Sequence, residues 1–134
     1  MQWVEVTVKQ LRNQNYTAVD WVNLIEEIED MSRRERKALK SNLVVVLLHL
    51  LKWQFQPDQR SGSWRRNIRE HRRRINEDLK ALASLIPYLQ EVFAECYSET
   101  CEQAANETGL LLSTFPEACY YPIEQILNFD FRPA

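Results

Sequence analysis

Seven arginines fall between Arg60 and Arg74 against a single acid, Glu70. A run of guanidinium groups beside an aromatic ring can grip phosphates while the ring stacks on a base. In SWRRNIREHRRRI (63–75), Trp64 would supply the ring and Arg66, Arg69, Arg73 and Arg74 the charge. The competing reading is a solvated face paired within the protein. If residues after 62 form one helix and those after 84 another, the two make an antiparallel hairpin with facing residue numbers summing to about 167. Leu79 then meets Leu89 and Ile75 meets Val92. The charges match as well, with Arg72 opposite Glu95, Arg69 near Glu99 and Arg65 opposite Glu102. Arg66, Arg73 and Arg74 are left without partners, and they keep the nucleic-acid reading open.

Two histidines and a group of acids offer a second kind of chemistry. His49 shares a helical face with Val46 and Trp53, and His71 lies between Ile68 and Ile75. Together with an acid from Glu26, Glu27, Glu29 or Asp30 they would form the minimum for a metal-dependent hydrolase. The spacing argues against it: there is no HExxH and no ExxH of the di-iron bundle type. No Gly-rich phosphate loop or nucleophile elbow occurs either. No catalytic residue, metal ligand or cofactor is therefore assigned. Cys96, Cys101 and Cys119 include no CxxC pair, and they fit reduced thiols serving as small core residues.

The elements that must position these groups read as helices. Only Gly62 and Gly109 interrupt the chain as glycines, and most of the rest has helical period. Val4, Val6 and Val8 alternate like a strand, which leaves residues 2–13 ambiguous on pattern alone. Asp20 can cap a helix whose apolar face is Trp21, Leu24, Ile25, Ile28 and Met31. Ser32-Arg33-Arg34-Glu35 matches a capping box and predicts a new helix running to about Phe55. The second half of that helix is apolar nearly all round, which marks it as central. QPDQRSG (56–62) is a loop and Ser63 a cap for the arginine helix. Ser84 can cap the next one, with Pro87 in its first turn and Gly109 at its end. LLLSTFPEACYY (110–121) is irregular and must lie against the bundle to hide its apolar residues. A short helix follows from Pro122 to Asn128.

The expected fold is all-α, a compact bundle of five to six helices in one domain over residues 1–134. With 45% hydrophobic residues the chain can build a core without disulfide or metal. A net charge of −2, from 17 basic and 19 acidic residues, excludes a strong overall field for DNA or anionic membranes. The longest apolar run, LVVVLL (43–48), is far short of the ~20 residues of a membrane span. No basic segment followed by a long apolar core opens the chain. The expectation is a soluble, cytoplasmic protein without a signal peptide.

Three segments, DWVNLIEEIEDM (20–31), LHLLKWQFQPDQRSGSWRRNIREHRRRI (48–75) and AANETGLLLSTFPEACYYPIEQIL (104–127), closely resemble the bacterial domain-of-unknown-function family twenty-nine, which is abundant in cyanobacteria. The blocks HLLKWQ, SWR, ETGL and TFP make the likeness specific. Members usually open with a further segment containing tyrosine and aspartate, which implies a shortened first helix here. The resemblance implies an α-helical fold, and so a helix over residues 2–13, but no reaction, cofactor or catalytic residue. It does direct attention to His49, Lys52 and Trp53 at the end of the central helix and to Ser63, Trp64 and Arg65 at the start of the next. The short QPDQRSG loop should hold these two groups close together, as a working surface or simply as a helix–loop–helix joint. The expected function is a helical protein-interaction module without catalysis, its partner another protein or a second copy of the chain. Residues 110–121 are available as part of the contact. Nucleic-acid binding through the arginine helix stands second, and the hydrolase third.

Overall fold

The computed structural model describes residues 2–134, and among them every regular element is helical. The five α-helices are α1 (Gln2–Arg12), α2 (Trp21–Phe55), α3 (Gly62–Ala81), α4 (Leu85–Thr108) and α5 (Ile123–Ile126). Single 3-10 turns occupy Tyr16–Ala18, Pro57–Gln59 and Leu112–Thr114. By internal contacts the chain divides into two compact units, Met1–Glu35 and Arg36–Ala134.

In the first unit, the valines that alternate like a strand lie on a helix and are all exposed. Their spacing reflects no burial pattern. The buried residue of α1 is Thr7, whose hydroxyl donates to the Trp3 carbonyl at 2.8 Å. The turn after α1 places Gln14 at φ +58°. That left-handed conformation costs a non-glycine residue roughly 1–2 kcal/mol. Asp20 caps α2 as expected, accepting from the Asn23 amide at 3.2 Å. The stripe Trp21, Ile25, Ile28 and Met31 is helical but exposed, at 45–57%. The amphipathic period marks a helix as expected, and its apolar face is exposed.

The predicted joint at Ser32–Glu35 does not form, because α2 runs unbroken through it. Ser-x-x-Glu caps a helix only where the backbone turns, and no glycine or proline turns it between residues 21 and 55. Arg33 reaches back to Asp30 and Glu29 and ties the turns on either side together.

The core of the second unit is centred on the later half of α2, where Leu39, Leu43, Val46 and Leu47 are at most 2% exposed. Against it lie Ile68 and Ile75 of α3, Leu89, Val92, Cys96 and Ala104 of α4, and Phe115 and Ile126 beyond. The helices α3 and α4 form the expected hairpin, linked by Leu82–Ser84. Gly109 ends α4 at φ +75°, its amide bonded to the Ala105 carbonyl. Ser84 precedes α4 without a side-chain cap bond. The cap of α3 is Ser61, which accepts from the Trp64 amide at 3.3 Å; Ser63 lies inside the first turn instead. The 110–121 segment hides only part of its apolar content. Phe115 is buried edge-on to Phe55, with ring centres 5.2 Å apart, while Leu111, Leu112 and Tyr120 are exposed.

Candidate functional site

The arginine helix divides its charges between two faces. Arg73 pairs with Glu70 and Glu77 at 2.6 and 2.8 Å, and Arg74 with Glu70 at 3.2 Å, all within α3. These bonds hold the Glu70 carboxyl down at about 2, Arg73 contributing most. Arg73 and Arg74, expected to be unpartnered, are therefore engaged. The expected pairs across the hairpin, Arg72–Glu95, Arg69–Glu99 and Arg65–Glu102, are absent. Glu95 pairs instead with Lys40 of α2 at 3.4 Å. α2 and the C-terminal segment take up groups that a two-helix register would pair with each other: Lys40 holds Glu95, and the Ile126 carbonyl holds Arg72.

The other face of α3 carries Arg65, Arg69 and Arg72, at i, i+4 and i+7, and these follow a different logic. Arg72 is 1% exposed, the largest side chain so deeply buried. Its Nε donates to the Ile126 carbonyl at 2.6 Å, and its Nη2 has no partner. Burial, with Arg132 beside it, lowers its pKa to about 10, so it is still cationic at neutral pH. Trp53 of α2 is nearly buried and is approached by three guanidiniums. The Cζ atoms of Arg60, Arg132 and Arg65 lie 4.8, 5.0 and 5.4 Å from its ring centre. The Arg60 Nε also donates to the Trp53 carbonyl at 2.8 Å. Arg69 lies 5.9 Å from the Phe129 ring. Ring faces attract cations by roughly 0.5–2 kcal/mol each, which partly offsets the repulsion among like charges.

None of these five arginines forms an ion pair among the described residues. Arg65, Ile68, Arg69, Arg72, Phe129 and Arg132 enclose a cavity of about 100 Å³, with no carboxylate in its wall. Chemically, this is a set of rigid donor forks facing a small space, the arrangement that binds oxyanions.

The two groups flanking the QPDQRSG loop do lie together. Lys52 Nζ sits 5.9 Å from the Trp64 ring and 3.4 Å from Glu107, and Arg65 stacks on Trp53. Ser63 contributes only its backbone carbonyl, to the Asn67 amide. His49 and His71 each hold Nδ1 within 2.9 Å of the carbonyl four residues earlier. A carbonyl can only accept, so Nδ1 carries the proton and Nε2 is the free nitrogen in the neutral ring. Burial lowers the His49 pKa. No three His, Cys, Asp or Glu side chains among the described residues form a group able to hold a metal. Burial raises all three thiol pKa values, which disfavours the nucleophilic thiolate. Arg66 is exposed and stands apart from the cavity wall.

Sequence reasoning missed Arg60, Arg72, Phe129 and Arg132 as site residues. The 65-69-72 spacing was a usable signal for Arg72; nothing in the sequence brings the C-terminal Phe129 and Arg132 to α3.

The family model described as "Domain of unknown function DUF29" matches residues 1–132. No curated protein and no solved structure matches the chain.

Proposed function

From a chain that belongs to the DUF29 family, a membership that brings no reaction with it, we propose a binding module that acts without catalysis and recognises an anionic group on a protein partner. The observation that carries this reading is the arginine cluster beside Trp53 and Phe129: Arg60, Arg65 and Arg132 over the Trp53 ring, Arg69 over Phe129 and the buried Arg72, none of them ion-paired among the described residues. Internal ion pairing would have satisfied these charges, as it does for Arg73 and Arg74. An unpaired cationic group facing a cavity is stabilised when an anion arrives, and association is steered by the local positive field. Leu111, Leu112 and Tyr120, 52–75% exposed, add apolar surface suited to a protein partner.

Nucleic-acid binding is the second reading, supported by exposed Arg65, Arg66 and Arg69 on the same helix. The engagement of Arg73 and Arg74 by Glu70 weakens it, because those charges are already partly neutralised. The two readings separate in nuclear magnetic resonance titrations with acetate, inorganic phosphate and a short single-stranded DNA. Saturable shifts at the Trp53 indole and the Arg72 Nε with a small oxyanion support the binding module. Shifts only with DNA, spread over Arg66, Arg73 and Arg74 and abolished by salt, favour the second. No shift with any anion contradicts both.

A further inference from the structure

We infer that the cavity between α3 and the C-terminal segment is a receptor for a terminal phosphate monoester, with Arg72 at its floor and Arg65, Arg69 and Arg132 at its rim. This rests on the anion-binding reading above and narrows it to one chemical class. Three features of the cavity select the ligand.

The first is the floor. Arg72 is 1% exposed, yet one arm of its guanidinium fork, Nη2, is unpartnered. Its Nε is held by the Ile126 carbonyl, so the fork cannot swing out to solvent without breaking a 2.6 Å bond. Removing a charged donor from water without a replacement acceptor is expensive. Arg72 lines the cavity, so an anion there would offset the charge of its buried fork.

The second is charge. The wall supplies four guanidiniums and no acid. A carboxylate brings a single negative charge, and so does a backbone phosphodiester. A phosphate monoester brings about −1.5 to −2 near pH 7 and three terminal oxygens, enough to engage the floor and rim together.

The third is size and access. The space of about 100 Å³ has room for a tetrahedral phosphate group. A diester carries two substituents and offers two free oxygens, where a monoester carries one and offers three. A monoester enters oxygens first, with its single substituent pointing outward past Phe129 and the exposed Arg69. The chemistry fits free phosphate and a phosphorylated serine or threonine side chain alike.

The test is calorimetric titration of the full chain with inorganic phosphate, a phosphoserine peptide, its unphosphorylated form, dimethyl phosphate and acetate, at equal ionic strength. The expected result is one site for phosphate or the phosphopeptide, with at least about tenfold weaker binding of acetate and dimethyl phosphate. Binding of the phosphopeptide well above free phosphate identifies a protein-borne ligand, and the reverse identifies a small molecule; either supports the monoester site. Monoester binding should also strengthen as pH rises through about 6, where the ligand gains its second charge. The exposed-rim variants Arg69→Ala and Arg132→Ala should each weaken binding about tenfold or more, with helical circular dichroism unchanged. Arg72→Met, which keeps the bulk of the side chain, should remove the preference for phosphate over acetate. Equal binding of acetate, dimethyl phosphate and phosphate overturns the monoester assignment and leaves the anion-binding reading standing. Binding of none of them overturns both.

Discussion

The guanidinium of Arg72 and the carbonyl of Ile126 meet at 2.6 Å across 54 residues of sequence, inside the core of the second unit. The bond does two things at once. It pins the C-terminal segment onto α3, and it holds a buried cation in place with one donor still open. A core optimised only for stability would put a methionine or leucine there. Retaining a charge with a single neutral partner is a local conflict of the kind that marks a binding site.

That conflict predicts an asymmetry between substitutions. Both substitutions take the donor from the Ile126 carbonyl and both remove the buried charge, two effects of opposite sign. Arg72→Met fills most of the space and should change stability in urea by no more than about 1 kcal/mol, whereas Arg72→Ala also leaves a cavity and should lose about 2–4 kcal/mol. Equal large losses in both would mean that the charge itself stabilises the fold.

The cap of α3 can be assigned by a paired substitution. Ser61→Ala should cost about 0.5–2 kcal/mol, since it removes the acceptor for the Trp64 amide. Ser63→Ala, in an exposed first-turn position, should stay within about 0.5 kcal/mol. Chemical denaturation of the two variants decides between them, and the opposite order would move the start of the helix.

His49 makes stability depend on mild acid. Its pKa is lowered from 6.5, mainly by burial, so the unfolded chain binds the proton more readily than the folded one. The stabilisation is therefore complete above about pH 6.5 and declines as pH falls from there toward the folded-state value. Urea midpoints measured near pH 7.5 and pH 5.5 should differ more in the wild type than in His49→Gln. An identical pH response in both would show that His49 does not titrate between the two states.

Much of the helical layout could be read directly. The punctuation at Asp20, Pro87 and Gly109 behaved as its local chemistry dictates, since a cap or a left-handed turn depends on few neighbours. The Ser32–Glu35 box failed for the converse reason: a capping motif permits a helix start but does not force one. The candidate site was half legible. Trp53, Arg65 and Arg69 could be singled out from the 48–75 segment, and the structure brings them to one place. Arg72 was assigned a carboxylate partner that it lacks, because hairpin register takes account of two helices only. Phe129 and Arg132 reach the site through the path of the chain after α5, and no period or motif encodes that path. Exposure of Ile25 and Ile28 was equally hidden, because amphipathicity shows that a face is apolar and not what lies against it.

Charge reversal separates the two faces of α3. Arg73→Glu with Arg74→Glu removes cations already occupied by Glu70 and Glu77. Phosphate affinity in the double variant should stay within about threefold of wild type. A loss comparable to that of Arg69→Ala would place the working charges on the outer face and favour the nucleic-acid reading.

The most direct measurement is the thermal unfolding midpoint of the wild type and of Arg69→Ala/Arg132→Ala, each in phosphate and in acetate at equal ionic strength. Phosphate strengthens many folds non-specifically by exclusion from the surface, so only the difference between the proteins counts. A ligand at a hundred times its Kd adds about 2.7 kcal/mol, several degrees for a chain of this size. The account predicts a phosphate-specific rise of that order in the wild type and little or none in the double variant. The same rise in both proteins, or none in either, would contradict an anion site at the arginine cluster.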